Sequence, residues 1–188
     1  REKLAAAIEK GLTLARAHEY EEALLQLNAV QEDEHAFTED IRGQAAGQVS
    51  LVTTQRDEQH QLRDQLVELA EQHEKANDYA ATVKVLEKIP APLRSGNPIA
   101  EQLSSAEAAR DELSSLLQEM SSDIKNSRIE GLLEKTARVL ELNPKHSEAQ
   151  ELREQLLERQ QQAIKQAAEL LDQAEQQFSQ CEDQAVLT

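Results

Sequence analysis

The histidines are the residues of this chain best suited to metal or acid–base chemistry. They are His18, His35, His60, His73 and His146. None of them falls in the His-Glu-x-x-His pattern that binds zinc from one helix face, and a single cysteine excludes a site built on paired cysteines. His18 and Glu22 are four residues apart, a spacing typical of an exposed pair on a helix surface. We predict that the chain binds no metal and no cofactor.

The carboxylates and the one cysteine are the other candidates for catalysis. General acid–base catalysis needs a carboxylate with a shifted pKa in a dry pocket, whereas pairs such as Glu21 and Glu22 occur where a solvated helix face places them. Cys181 is followed by Glu182 and Asp183, and acidic neighbours disfavour the reactive thiolate. We predict that this chain is not an enzyme.

Two tyrosines occupy equivalent positions in the sequence. Tyr20 and Tyr79 each begin a short predicted helix after a break in the preceding pattern. The first interpretation is that each ring packs against the helix before it. The alternative is that Tyr20 and Tyr79 face a partner, because exposed tyrosine is enriched at binding hot spots.

The composition predicts an all-α fold with narrow apolar seams. Of 188 residues, 2% are aromatic, none is Trp, and Gly and Pro number 5 and 4. The formal net charge of −16 argues against nucleic acid and against an anionic membrane surface as partners. It is typical of a solvated surface, and the alternative is an acidic face for a basic partner. We predict no membrane insertion and a cytoplasmic location.

Hydrophobic periodicity predicts alternately long and short helices joined by short turns. The stretch 53–61 is entirely polar but contains no helix breaker, so we predict one continuous helix through it. The fold is then a stack of antiparallel helical hairpins forming a single repeat domain, 1–188. Because the chain begins at Arg1 without Met, we expect a fragment of a larger protein. The predicted helices span about 1–17, 20–32, 39–76, 78–89, 98–123, 127–142 and 147 onward, in hairpin units of about 1–33, 38–90, 98–144 and 146–181.

The same periodicity predicts the buried side chains. The short helices are expected to bury Ala23, Leu24, Leu27 and Val30, and Val83, Val85, Leu86 and Ile89. The long helices are expected to bury Ile41, Ala45, Val52, Leu62, Leu66, Leu69 and Ala76; Ile99, Leu103, Ala106, Leu113, Leu117, Met120 and Ile124; and Ala149, Leu152, Leu156, Ala163, Ala167, Leu170, Ala174 and Phe178.

A phrase recurs three times near a helix end, starting at Tyr20, Tyr79 and Leu132. With Arg138-Val-Leu-Glu-Leu-Asn-Pro144 it resembles the second half of a tetratricopeptide repeat. The resemblance implies stacked helical hairpins and protein binding. The 59-residue interval from Tyr20 to Tyr79 exceeds the family's ~34-residue period, so we expect irregular repeats with lengthened first helices.

The phrase from Val85 to Pro90, with Leu93 and Arg94, and the phrase from Leu140 to Pro144 also resemble helical regions of large bacterial serine/threonine protein kinases. This second resemblance implies a regulatory or scaffolding segment. Our leading functional prediction is therefore a non-catalytic module that binds a protein or peptide. The alternatives are a structural coiled-coil spacer that forms a homodimer, and a regulatory domain that senses a small molecule, for which the sequence offers no site.

Overall fold

The structure is a computed structural model that describes the backbone of residues 2–33, 38–95 and 98–186, with side chains up to 177. Within these ranges the chain consists of helices and turns, which confirms the predicted all-α fold. His35, Gly96 and Asn97 lie outside the described residues, as do the side chains of Phe178 and Cys181. The helices are α1 (Glu2–Arg16), α2 (Tyr20–Gln31), α3 (Glu39–Lys75), α4 (Tyr79–Leu86), α5 (Ala91–Arg94), α6 (Pro98–Lys125), α7 (Leu132–Leu142) and α8 (Ser147–Val186).

The chain divides into two compact units, Arg1–Arg110 and Asp111–Thr188, with the division inside α6. In unit 1, α1 packs on α2, α2 on α3 and α3 on α4, and α1 also contacts α3. In unit 2, α7 packs on α8. In these pairs, neighbours in sequence are neighbours in space, which is consistent with a stack of hairpins, while the prediction of one repeat domain stays a prediction.

The two short helices of unit 1 are packed as the sequence predicts. All four predicted positions of α2 are buried, and so are Val83, Val85 and Leu86 of α4 and Ile89 just after it. Leu27 and Leu86 are fully buried and lie in one apolar cluster with Val52 and Ala70 of α3. Burying a leucine contributes about 2 kcal/mol, so these short helices derive their stability from packing on α3 rather than from length.

The contact between α1 and α2 depends on a glycine. A Cβ added at Gly11 would lie 2.8 Å from Cγ of Leu27 and 3.2 Å from the carbonyl oxygen of Ala23. Gly11 is buried inside α1. The missing side chain therefore lets the two helices approach closely.

Helix α3 is continuous through its polar middle, which confirms that prediction. Its predicted seam is wrong at three positions, Leu62, Leu69 and Ala76, all of which are exposed. Leu62 and Leu69 are 46% and 39% exposed, whereas Ala70, which the heptad pattern omits, is buried. Because α2 and α4 have only 12 and 8 residues, neither can cover the whole of this 37-residue helix.

Three helices end in the same hydrogen-bonded turn, the Schellman motif. His18, Asn77 and Ser127 adopt the left-handed conformation, with φ of 63°, 59° and 55°. The N–H of the next residue then donates to a carbonyl five residues back in the helix. These bonds are Glu19 to Leu14 (3.0 Å), Asp78 to His73 (2.9 Å) and Arg128 to Asp123 (2.8 Å).

One predicted boundary is wrong, and one short helix is not predicted. Ser127 belongs to the turn that ends α6, so α7 begins at Leu132 rather than near residue 127. Gly131, just before it, has a φ of 74°, which glycine adopts without steric cost. The short helix α5 is absent from the predicted helices, because Pro90 and Pro92 end the α4 pattern without excluding a single new turn of helix.

Within the side chains that the structure describes, unit 2 buries the beginning of α8. Met120, Val139 and Ala149 form its apolar cluster, and Leu156 is the last buried residue of α8 up to position 177. The predictions that Ala163, Ala167, Leu170 and Ala174 are buried are wrong, since every residue from 157 to 177 is exposed. These residues are exposed because α7 has 11 residues against 40 in α8 and cannot cover the later turns of α8. Ile124 of α6 is also exposed, at 53%.

Candidate functional site: a cleft beside the middle of α3

A cleft of about 720 Å³ lies in unit 1 between α2, α3 and α5. Its walls are residues 18–22 at the start of α2, His60 and Arg63 of α3, and residues 91–93 and 95 around α5. We call it the α2–α3–α5 cleft. It lies beside the polar part of α3, where the short helices leave that helix without an apolar cover.

One wall of the cleft is acidic. Glu19, Glu21 and Glu22 surround the first turn of α2, where the partial positive charge of the helix N-terminus favours carboxylates. Glu21 is 75% exposed, and its Oε1 lies 3.6 Å from Nη1 of Arg56 on α3. An exposed ion pair at that distance contributes little to stability. The three carboxylates therefore give this wall of the cleft a negative electrostatic potential.

Helix α5 contributes the apolar side of the cleft. Ala91, Pro92 and Leu93 contribute an apolar wall, and Leu93 also belongs to the apolar cluster of unit 1. On α3, Arg63 donates from Nε and Nη2 to the Oδ1 of neighbouring Asp64 at 2.8 and 2.7 Å. The cleft therefore combines carboxylates, an apolar surface and a cation that already has an anionic partner.

Tyr20 lies in this cleft as a largely buried side chain. It is 6% exposed, and its hydroxyl lies 3.0 Å from Nδ1 of His18. The two rings meet edge to face, with centroids 5.8 Å apart and planes at 78°. Burial raises the pKa of the Tyr20 hydroxyl. Its packing agrees with the first interpretation, and a partner-facing role stays a prediction.

The His18–Tyr20 pair also lines a second cleft, of about 550 Å³, between α1 and α3. Leu12 and Arg16 contribute from α1, and Gln55 and Glu58 contribute from the polar part of α3. The left-handed backbone of His18 turns the chain between these two clefts. The pair therefore fixes the geometry of both.

Tyr79 occupies a different environment from Tyr20. It is half-buried at the start of α4, directly after the N-cap Asp78, whose Oδ1 accepts the N–H of Ala81 at 3.0 Å. It does not line the α2–α3–α5 cleft. The structure therefore places one of the two predicted tyrosines in the cleft and the other outside it.

Sequence reasoning did not identify His60, Arg63 and α5 as walls of a site. The feature of the sequence that could have indicated this site was the polar stretch 53–61, which interrupts the apolar heptad positions of the long helix. Among the residues that the structure describes, no group of three His, Cys, Asp or Glu side chains is arranged to hold a metal ion. His18 and Glu22 share the cleft without a third ligand.

Ion pairs connect α6 to α7 in unit 2. Arg138, from the phrase that resembles a tetratricopeptide repeat, donates to both carboxylate oxygens of Glu112 at 2.6 and 3.0 Å and to Glu141 at 2.8 Å. These hydrogen bonds raise the pKa of Arg138 and lower that of Glu112. Lys135 bridges Glu119 and Asp123 at 2.9 and 2.8 Å. The phrase thus serves to orient α7.

No family model matches this chain, and no curated protein or solved structure matches it significantly. Within the part of the chain that the structure describes, no helix is both long enough and apolar enough to cross a membrane. The tetratricopeptide and kinase resemblances therefore stay predictions.

Proposed function

We propose that this chain is a non-catalytic protein-interaction module whose α2–α3–α5 cleft binds a basic peptide segment that carries an apolar side chain. The observation that supports the proposal is the composition of the cleft: Glu19, Glu21 and Glu22 line it together with Ala91, Pro92 and Leu93. Carboxylates attract Lys and Arg, and the apolar wall buries an aliphatic side chain. Both requirements occur together in a short amphipathic peptide.

The net charge of the chain supports a basic partner. With a formal charge of −16, the protein attracts cationic partners over a Debye length and repels acidic ones. Such attraction raises the association rate and makes it sensitive to salt. The apolar wall adds a contribution that salt does not screen, so binding should weaken with salt without being abolished.

The proposed setting follows the sequence resemblances. We place the module in the cytoplasm, as an irregular tetratricopeptide-like repeat in the regulatory region of a larger bacterial signalling kinase. The phrases ending at Pro90 and Pro144 support this setting. A structural spacer or homodimerisation domain is the second candidate function, and the exposed apolar residues of α8 favour it.

The test is a binding assay with designed peptides. Short fluorescent peptides that alternate Lys with Leu are titrated with the protein and followed by polarisation, beside peptides of the same length with Glu in place of Lys. The Lys peptides should bind and the Glu peptides should not. Binding should weaken about tenfold in the Glu19→Gln, Glu22→Gln double variant, which removes two charges from the acidic wall.

Glu39→Gln with Asp40→Gln is the matched control, because it also removes two charges from the first turn of a helix, outside the cleft. It should change the affinity little. Equal binding of Lys and Glu peptides, or equal weakening by both double variants, would contradict the proposal.

A further inference from the structure

Helix α8 carries an apolar stripe that none of the described residues of unit 2 covers. Leu157, Ile164 and Leu171 recur every seven residues and are 38%, 64% and 62% exposed, and Leu170 beside them is 65% exposed. A stripe repeating every seven residues is the pattern by which two helices supercoil around each other. We call residues 157–174 of this face the α8 stripe.

Charged side chains avoid the α8 stripe. With Leu157, Ile164 and Leu171 at heptad position a, position d holds Gln160, Ala167 and Ala174, and the flanking positions e and g hold Gln, Ala and Leu. The charged residues between 157 and 174 all fall at the outer positions b, c and f: Glu158, Arg159, Lys165, Glu169 and Asp172. A second helix can therefore approach the stripe without burying a charge.

We propose that the α8 stripe pairs antiparallel with the α8 stripe of a second copy of this chain. In antiparallel pairs, a positions pack against d positions. Leu157 then meets Ala174 of the other copy, and Ile164 meets Ala167. Two of the three large a-position side chains thus face an alanine, which fills the interface evenly, and Leu171 meets Gln160 of the other copy.

A parallel pair in register would be packed poorly. Leu157, Ile164 and Leu171 would each meet their own copies in the a layers, and Ala167 and Ala174 would meet their own copies in the d layers. The separation set by the large layers leaves gaps in the small ones, and such gaps forfeit packing energy. The large–small complementarity therefore selects a second copy in the antiparallel orientation.

The area of the stripe agrees with a specific dimer. The four large side chains expose on the order of 400 Å², within the range of the largest apolar patch on a typical monomer, which is often a functional surface. With the neighbouring alanines and glutamine stems, an antiparallel pair of these segments buries about 1,200 Å² in total, the lower limit for a specific interface. The proposal does not depend on peptide binding by the α2–α3–α5 cleft, since the stripe and the cleft share no residue.

The first test is the solution mass by analytical ultracentrifugation across micromolar concentrations. The wild type should form a dimer of twice 21.1 kDa. Ile164→Glu should weaken dimerisation at least about tenfold, because it places a charge in the apolar interface. Gln166→Glu is the matched control, since it adds the same charge at outer position c two residues away and should leave the dimer intact.

Both positions are exposed, so neither variant disturbs the core of unit 2, and circular dichroism verifies that the helix is retained. A wild type that stays monomeric throughout would overturn the proposal. So would an Ile164→Glu variant that dimerises like the wild type.

The second test measures orientation by pulsed electron paramagnetic resonance. Spin labels are attached at Lys165→Cys or Asp172→Cys, both at outer position b, in a Cys181→Ser background. In the antiparallel pair the axial offset between labels is about 1.5 Å for position 165 and about 20 Å for position 172. The label–label distance should therefore be much longer at 172. Equal distances at the two positions would mean a parallel pair and would overturn the proposed orientation.

Discussion

The hydroxyl of Tyr20 lies 3.0 Å from Nδ1 of His18, across the turn that joins α1 to α2. The contact joins His18, whose backbone has the left-handed conformation with φ of 63°, to Tyr20, the first residue of α2. It stabilises the position of the acidic first turn of α2 relative to the end of α1. The geometry of the proposed binding cleft thus depends on a tyrosine that is itself 6% exposed.

The first prediction concerns this hydrogen bond. Tyr20→Phe keeps the ring but removes the hydroxyl, so the free energy of unfolding should fall by about 1 kcal/mol. Tyr79→Phe is the control, since Tyr79 is half-buried rather than buried, and its effect should be smaller. Urea denaturation followed by circular dichroism measures both. An effect of Tyr79→Phe as large as that of Tyr20→Phe would contradict this account.

The second prediction is the pH dependence of the same group. Burial raises the pKa of the Tyr20 hydroxyl in the folded protein, so the folded state holds this proton more tightly than the unfolded state. Its contribution is fully present below the unfolded pKa of about 10 and is lost as pH rises through the folded pKa. The stability difference between wild type and Tyr20→Phe should therefore shrink above pH ~10. A stability difference between wild type and Tyr20→Phe that grows above pH ~10 would contradict this prediction.

The third prediction compares glycines in different environments. Gly11→Ala should destabilise the protein by about 1–3 kcal/mol, because the new Cβ would lie 2.8 Å from Cγ of Leu27. Gly43→Ala should stabilise it by about 0.5–1 kcal/mol, since nothing lies within 4 Å of the added Cβ and alanine favours the helix. Thermal unfolding should give opposite shifts. A stabilising shift from Gly11→Ala, like that expected from Gly43→Ala, would show that α1 and α2 do not approach as described.

The fourth prediction concerns the turn that ends α6. Ser127→Gly should stabilise unit 2 by about 0.5–1 kcal/mol, because glycine adopts a φ of 55° without strain. Ser114→Gly, inside α6, should destabilise it by about 1 kcal/mol. The same substitution thus has opposite signs 13 residues apart, as measured by the midpoint of chemical unfolding. Destabilisation by both would mean that Ser127 is helical, as the sequence alone suggested.

The fifth prediction is the salt and acid sensitivity of the α6–α7 contact. Hydrogen bonding to Arg138 lowers the pKa of Glu112, so the contribution of this pair is present above the unfolded pKa of about 4.3 and is lost as pH falls through the folded pKa. Arg138→Gln should therefore be more destabilising at neutral pH and low salt than at acidic pH or high salt. An effect independent of both conditions would assign Arg138 a packing role.

The parts of the fold that the sequence predicted correctly are those set by local pattern. The buried faces of α2 and α4 followed from Leu27 and Leu86 and their neighbours, because a short helix beside a longer one has one face to bury. The continuity of α3 followed from the absence of Gly and Pro between 53 and 61. Neither inference needed knowledge of distant residues.

The errors arose where burial depends on how far a neighbouring helix extends. Leu62 and Leu170 fit their seams as well as Val52 and Leu156 do, but the neighbouring helices stop before reaching them. The cleft was missed for the same reason, since it exists because α2 and α4 are short. Ser127 was misplaced because serine rarely adopts positive φ, and no residue type marked the turn.

The most direct test of the proposed binding function is an NMR titration of the ¹⁵N-labelled protein with the Lys–Leu peptide. The account predicts saturable shifts concentrated in residues 18–22, near His60 and Arg63, and around α5, the walls of the α2–α3–α5 cleft. Shifts confined to other surfaces, or no saturable shift, would contradict the claim that this cleft binds a basic peptide.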